Sequence, residues 1–248
     1  MEIIVLGSGT ILSGPSRMSA GYLLRRGNSV LLLDCGPGIL FRLKAAQIEL
    51  LSIETALLSH FHLDHCNDLF PILMNRALLR NGANEKLQII GPNGLQSWFR
   101  TVASTQGAWL TAALPQILQV GDAGFEWAGV TVTACPTGHT LNSISYKFNT
   151  KQSLFYSGDA GPNNELANFA RGAHTGILEC SHPDERPQPG HMTPVMASQF
   201  AARAGFSRLI LTHFYPENDP PRFGKEVRQI FDGEIVIAED MLHIGLDD

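Results

Sequence analysis

The chain has 248 residues, 44% of them hydrophobic and 17% charged, with a formal net charge of −5. That is an ordinary water-compatible globular composition, long enough to bury one large core. The negative balance gives no overall attraction for nucleic acid, and Lys and Arg form no basic run.

No apolar run reaches the roughly 18 residues that cross a bilayer. Met1-Glu2-Ile3-Ile4-Val5 lacks the basic start and cleavage site of a secretion signal, so a cytoplasmic protein with no membrane partner is expected. Cys35, Cys66, Cys135 and Cys180 are far apart and form no C-x-x-C pair. This argues against a thiolate zinc cluster and predicts reduced thiols.

Ile3–Leu6 reads as the first strand, turning sharply at Gly7-Ser8-Gly9-Thr10. A lone G-x-G is a weak phosphate-loop signal, and the downstream spacing of a dinucleotide fingerprint is absent. Gly21–Leu24 and Val30–Leu33 read as a hairpin turning near Gly27-Asn28, followed by Asp34 and a helix over Ile39–Ala46. Thr55–Leu58 is a short apolar strand.

That strand runs into Ser59-His60-Phe61-His62-Leu63-Asp64-His65, which places four metal-ligand side chains within six residues as H-x-H-x-D-H. A helix pattern follows, from about Cys66 to Arg80. His60 and His62 alternate and can leave an extended segment on one side. Asp64 and His65 fall at the turn into the helix and can face a second point nearby. Two cations a few ångströms apart suit that layout better than one.

Leu87–Ile90 is the next strand, then a helix over about Asn93–Val102; residues 105–121 carry no clear pattern. Val130–Ala134 alternates as a strand and leads to Pro136-Thr137-Gly138-His139. Ser143–Phe148 and Ser153–Tyr156 form a second hairpin closed by Ser157-Gly158-Asp159. A helix over Glu165–Arg171 and a strand over Thr175–Cys180 follow. The loop Pro183–Pro189 ends in Gly190-His191-Met192-Thr193-Pro194, where Thr193 fits an N-cap and Pro194 the first helical position. That helix runs to about Ala204, Arg208–Thr212 is a strand ending at His213, and a helix near Lys225–Phe231 precedes strands at Glu234–Ile237 and Met241–Ile244.

Hairpins early and alternating helices and strands later favour two sheets packed face to face with helices outside, in one domain spanning 1–248. His139, Asp159, Glu179 and His213 each follow a strand, so ligands from the strand ends of one sheet converge on one edge. The alternatives are a turn-capping role for His139, a turn role for Asp159 and a buried structural role for His213. His174 and His243 read as structural, His182 as a polar loop residue. Asp34 divides evenly between a turn residue and a hydrogen-bond partner to a ligand. Tyr215 and Arg80 are weaker candidates for substrate contacts.

The H-x-H-x-D-H stretch resembles the signature of the metallo-β-lactamase superfamily. Gly7–Thr10, Leu33–Gly36, Gly138-His139, Ser157–Asp159, Gly190–Thr193 and Leu211–Phe214 occur in the order seen in its ribonuclease Z-like members. Glu179-Cys180-Ser181-His182-Pro183 also looks like a segment of cyclic phosphodiesterases. The resemblance implies a four-layer αββα sandwich of class α/β (α+β). It implies one cation on His60, His62 and His139, another on Asp64, His65 and His213, and Asp159 between them. The donor set suits two divalent ions, zinc first, with manganese or iron as alternatives. It further implies a hydrolase whose catalytic residues are Asp64, His191 and Glu179, with a metal-bridging hydroxide as nucleophile and His191, oriented by Glu179, as general acid.

Ribonuclease Z proteins usually carry an arm between the ligands equivalent to His139 and Asp159, which here are 20 positions apart, room for a hairpin alone. A small or cyclic phosphodiester is therefore expected as substrate, with RNA disfavoured. An arm-less transfer RNA 3′ endonuclease, a thioester or lactone hydrolase, and a non-enzymatic binding protein are the alternatives. Relatives are often dimers, which implies a homodimer by analogy.

Overall fold

A computed structural model describes residues 1–12, 14, 16–79, 86–107, 110, 115–121 and 124–246. Among these residues, fourteen strands form two seven-stranded sheets. The first runs in the order β14 (His243–Gly245), β1 (Glu2–Gly7), β2 (Gly21–Arg26), β3 (Ser29–Cys35), β4 (Ile53–Leu57), β5 (Gln88–Gly91), β6 (Gln116–Gln119). The second runs β13 (Glu234–Ile237), β12 (Arg208–Thr212), β11 (Thr175–Glu179), β10 (Leu154–Tyr156), β9 (Ile144–Asn149), β8 (Val130–Pro136), β7 (Phe125–Trp127). In both sheets antiparallel hairpins give way to parallel strands reached through helices: β3 to β6 are parallel, as are β10 to β13.

Strand periodicity explains the layering. Tyr22, Leu24, Leu31 and Leu33 point into a core shared with Val132, Tyr146, Phe148, Ile177 and Ile210 of the facing sheet. Their alternates Leu23 and Leu32 meet outer helices α1 (Ile39–Ala45), α3 (Leu69–Leu79) and α4 (Leu95–Ala103) through Ile39, Leu43, Leu73 and Phe99. On the other side, Phe155, Leu178, Leu209 and Leu211 meet α5 (Asn164–Ala170), α6 (Pro194–Ala204) and α7 (Pro220–Arg228). The result is the expected αββα sandwich.

Several boundaries differ from the sequence reading. The helix expected from Cys66 to Arg80 is two pieces, α2 (Leu63–Cys66) and α3. Asp68, at the break, accepts the Leu40 backbone N–H at 2.9 Å and donates its own N–H to the Cys35 carbonyl. Pro71 then falls in the first turn of α3, where its missing N–H costs nothing. The last helix begins at Pro220 rather than Lys225, because Asp219 caps it by accepting from the Arg222 N–H. Strands β6 and β7 have no counterpart in the sequence reading. Arg80 lies outside the described residues, as does part of the patternless stretch before β6. Thr193 does cap α6, accepting from the Met196 N–H, with Pro194 in its first turn. All four cysteines are free thiols. No described helix is long and apolar enough to cross a membrane.

Candidate metal centre

Every candidate ligand lies just past a strand. His60 and His62 follow β4, and Asp64 and His65 occupy the short helix α2. His139, Asp159 and His213 follow β8, β10 and β12 of the second sheet, as Glu179 ends β11. Strands β8, β10, β11 and β12 run in the same direction, so their ends deliver these side chains to one rim. Two residues there hold left-handed backbone conformations, Asp34 (φ 55°) and His213 (φ 62°). Such non-glycine conformations cost on the order of 1 kcal/mol or more and persist where surroundings over-determine them.

The side chains gather into two adjoining groups. His60, His62, His139 and Asp159 each offer a donor atom within 4.8 Å of the others, and so do Asp64, His65 and His213. His62 Nδ1 and His139 Nε2 are 3.2 Å apart, and His65 Nε2 and His213 Nε2 are 3.2 Å apart. Asp159 lies between them. Its Oδ2 is 3.8 Å from His60 Nε2 and 3.6 Å from His139 Nε2. Its Oδ1 is 3.2 Å from His65 Nε2 and 3.4 Å from His213 Nε2. His213 Nε2 is also 3.4 Å from Asp64 Oδ2.

Following the protons decides what these nitrogens present. Asp34 can only accept, so His65 Nδ1, at 2.8 Å from it, is the donor. Ser59 gives its hydroxyl proton to Asp34 at 2.7 Å, so its oxygen accepts from His60 Nδ1 at 3.0 Å. Ser181 gives its proton to Glu179, so it accepts from His213 Nδ1 at 2.9 Å. The Gly190 carbonyl accepts from His139 Nδ1 at 3.0 Å. Each of these four rings is therefore left with a bare Nε2 turned into the same space. The facing lone pairs of His65 and His213, 3.2 Å apart, repel unless something positive sits between them. The buried atoms His60 Nε2 and Asp159 Oδ1 have no hydrogen-bond partner, as expected of donors kept for an ion. The residues present thus fit divalent cations.

The titration shifts differ across the site. Burial alone would lower His65, but Asp159 and Asp34 outweigh it and hold its pKa well above the ordinary value. Burial alone would raise Asp159, but His213, His65 and His60 outweigh it and hold it well below the carboxylate range. Burial, then the neighbouring His65, pushes His60 well down. Positive charge is thus favoured at His65, between Asp34 and Asp159, while His60 stays neutral.

Beside it, His191 Nδ1 lies 2.9 Å from Glu179 Oε1 and 3.1 Å from Oε2. Glu179 is buried and also accepts the Ala160 N–H at 2.8 Å. Burial works against the charged imidazole, but the hydrogen bond and charge of Glu179 outweigh it and raise His191 to about 8. The His191 ring lies 4.7 Å from that of His139, and the residue is within ligand range of Asp159 and His213.

Of the two roles the sequence left open, Asp34 takes the hydrogen-bonding one: still inside β3, it accepts from the Ser59 N–H, Ser59 Oγ, His65 Nδ1 and Tyr156 Oη at 2.6 to 2.8 Å. Gly36, two residues on, is where α2 crosses the strand end: a Cβ there would stand 1.9 Å from the Asp64 carbonyl oxygen. The Ile11 N–H donates to Asp64 Oδ2 at 3.1 Å. Ser59, Ser181, Tyr156 and the Gly190 carbonyl, which fix the rings, escaped sequence reasoning; lone serines and backbone groups carry no motif. His182 makes a ring stack with Tyr215 at the rim. His174 and His243 are not among the gathered ligands; His243 pairs with Glu2 at 2.8 Å.

A family profile for the beta-lactamase superfamily domain matches residues 30–214. The chain belongs to the metallo-β-lactamase superfamily. Within it, the chain is 31% identical to a protein named ribonuclease Z of Mycobacterium sp. (strain KMS), over 89% of this chain and 86% of that one. In fold it is similar to the metallo-beta-lactamase fold protein YhfI from Bacillus subtilis, with a TM-score of 0.87 and 22% identity over 98% of both chains. It is also similar to the short form of human tRNase Z, with a TM-score of 0.80 and 24% identity over all of both chains. The protein is a ribonuclease Z-like member of the superfamily and a metal-dependent hydrolase.

Proposed function

We propose that this metallo-β-lactamase relative is a dinuclear phosphodiesterase acting on a small or cyclic phosphodiester. The observation that carries the two-ion reading is Asp159, which turns one oxygen to His60 and His139 and the other to His65 and His213. His60, His62 and His139 would hold one ion, Asp64, His65 and His213 the other, with Asp159 shared. Nitrogen and oxygen donors without thiolate suit zinc, then manganese or iron. Two such ions, when bound, would lower the pKa of a coordinated water and neutralise phosphoryl oxygens.

The chain's own residues do the rest. Asp34, Ser59, Ser181 and Gly190 hold the imidazoles in the tautomer that leaves Nε2 bare. Glu179 fixes Nδ1–H of His191, so His191 presents Nε2–H when charged. In hydrolysis a P–O bond forms to the water oxygen and the P–O bond to the leaving group breaks. An alkoxide leaving group needs a proton as that bond breaks, and His191 Nε2 supplies it while Glu179 stabilises the charged ring beforehand. A thioester hydrolase has less use for this pair, because a thiolate leaves without a proton.

The small-substrate reading is supported by the β9–β10 hairpin, which accounts for the interval between His139 and Asp159 without an added arm, and by the net charge of −5. RNA is the second reading, favoured by the relative named ribonuclease Z. One screen of metal-loaded protein separates them, using bis(p-nitrophenyl) phosphate, cyclic nucleotides, precursor transfer RNA, a thioester and a lactone. Turnover of the first two is expected. Cleavage of precursor RNA with a steep salt dependence selects the second reading, and turnover of thioester or lactone alone overturns both.

A further inference from the structure

Outside the ligand set, the rim carries a stacked aromatic pair that the mechanism above does not use. The rings of His182 and Tyr215 lie 5.0 Å apart at 29°. His182 is in turn 5.4 Å, edge to face, from His191, and Tyr215 is 6.5 Å from His213. Both are partly exposed. They come from different loops, and Asn218 ties the two together by donating its side-chain N–H to the Ser181 carbonyl at 2.7 Å.

Tyr215 also lines a cavity of about 300 Å³, together with Gly9, Leu12, Phe214, Pro216 and Asn218. Among the described residues on its walls, Arg17 is the one that carries a charge. That guanidinium sits 4.9 Å over the Phe214 ring, and its Nη1 donates to Ser8 Oγ and the Ala238 carbonyl, so its charge faces the protein. The volume is at the small end for ligand sites, enough for a ring system and too small for a polymer.

The direction of the reaction connects this cavity to the centre. The oxygen that leaves phosphorus must lie against His191 to take its proton, so the organic group on that oxygen extends away from the metal ligands. The rings that His191 meets on that side are His182 and, stacked on it, Tyr215. We propose that the cavity beside Tyr215 is the subsite for a planar group carried on the leaving oxygen, with the His182–Tyr215 stack as its specificity-determining wall. The assignment rests on the phosphodiester reading and adds the class of leaving group: an aryl, benzyl or nucleobase-bearing alcohol. His182 acts through Tyr215, packing against the phenol ring and fixing its position.

The test uses the metal-loaded full chain and two diesters of methyl phosphate, a second methyl ester and a benzyl ester. Their leaving alcohols have similar acidity, so the chemistry is matched and only the ring differs. The wild type is expected to favour the benzyl ester by about tenfold in kcat/KM, the usual scale of one aromatic stack, chiefly through KM. Tyr215→Ala brings the ratio to within about twofold of one, and Tyr215→Phe restores it. A wild type that hydrolyses both esters without preference overturns the subsite while leaving the phosphodiesterase reading intact, and so does a Tyr215→Ala variant that keeps the preference. Hydrolysis of neither ester, with both metals bound, overturns the phosphodiester reading and the subsite with it.

Discussion

Replacing Asp159 by alanine is expected to take bound metal from two ions per chain towards one or none, and to lower hydrolysis about a thousandfold or more. The physical reason is the position of its carboxylate. One oxygen serves His60 and His139, the other His65 and His213, and no other described carboxylate faces both groups. Without it, two cations would be held close together with no shared anion. The side chain is buried, so its loss also removes negative charge from among four imidazoles. Asp159→Asn keeps the volume and separates that packing change from the charge. Elemental analysis of folded variants is the measurement, and full occupancy by two ions in Asp159→Ala would falsify the bridging role.

The second large effect belongs to His191. His191→Ala is expected to keep both metals and to lose turnover about a hundredfold or more on a diester with an alkoxide leaving group, the usual contribution of a general acid. On an activated aryl ester, whose leaving group departs without a proton, the same variant should lose far less. This contrast matters because His191 also lies within ligand range of Asp159 and His213. A ligand role predicts metal loss and equal damage to both substrates; a proton-donor role predicts intact metal and selective damage. Glu179→Gln should shift in the same direction as His191→Ala on the alkoxide substrate, since the amide cannot stabilise the charged imidazole.

Much of this candidate site was legible in the chain because its candidate ligands sit at element ends. H-x-H-x-D-H is contiguous, and His139, Asp159 and His213 each follow a strand recognisable by alternation. The two-group arrangement also follows from local geometry: His60 and His62 leave an extended segment, whereas Asp64 and His65 ride on a helical turn. The elements that were missed had weak signals. Gln116–Gln119 is an edge strand with a mostly exposed pattern, so it shows no apolar alternation. Asp219-Pro220 is a sound helix start, yet Pro220-Pro221 reads locally as a loop. The split between α2 and α3 depends on Asp68 bonding to Leu40 and Cys35, contacts made by the folded chain rather than by neighbours in sequence.

The outer partners of the ligands were the least legible part. Nothing in the sequence marks Ser59 or Ser181 as the groups that orient the imidazoles; their roles follow from which neighbour can only accept. The left-handed backbones of Asp34 and His213 are likewise invisible until the strand ends are seen to be fixed by their contacts. Tyr215 was a weak candidate by position and becomes a specific one through its stack on His182 and its place on the cavity wall.

The most direct test of the dinuclear centre is anomalous diffraction at the zinc edge from crystals of the reconstituted protein. Two peaks are expected on either side of the Asp159 carboxylate, one among His60, His62 and His139 and the other among Asp64, His65 and His213. A lone peak, or one held instead by Asp159, His191 and His213, contradicts the two-ion account.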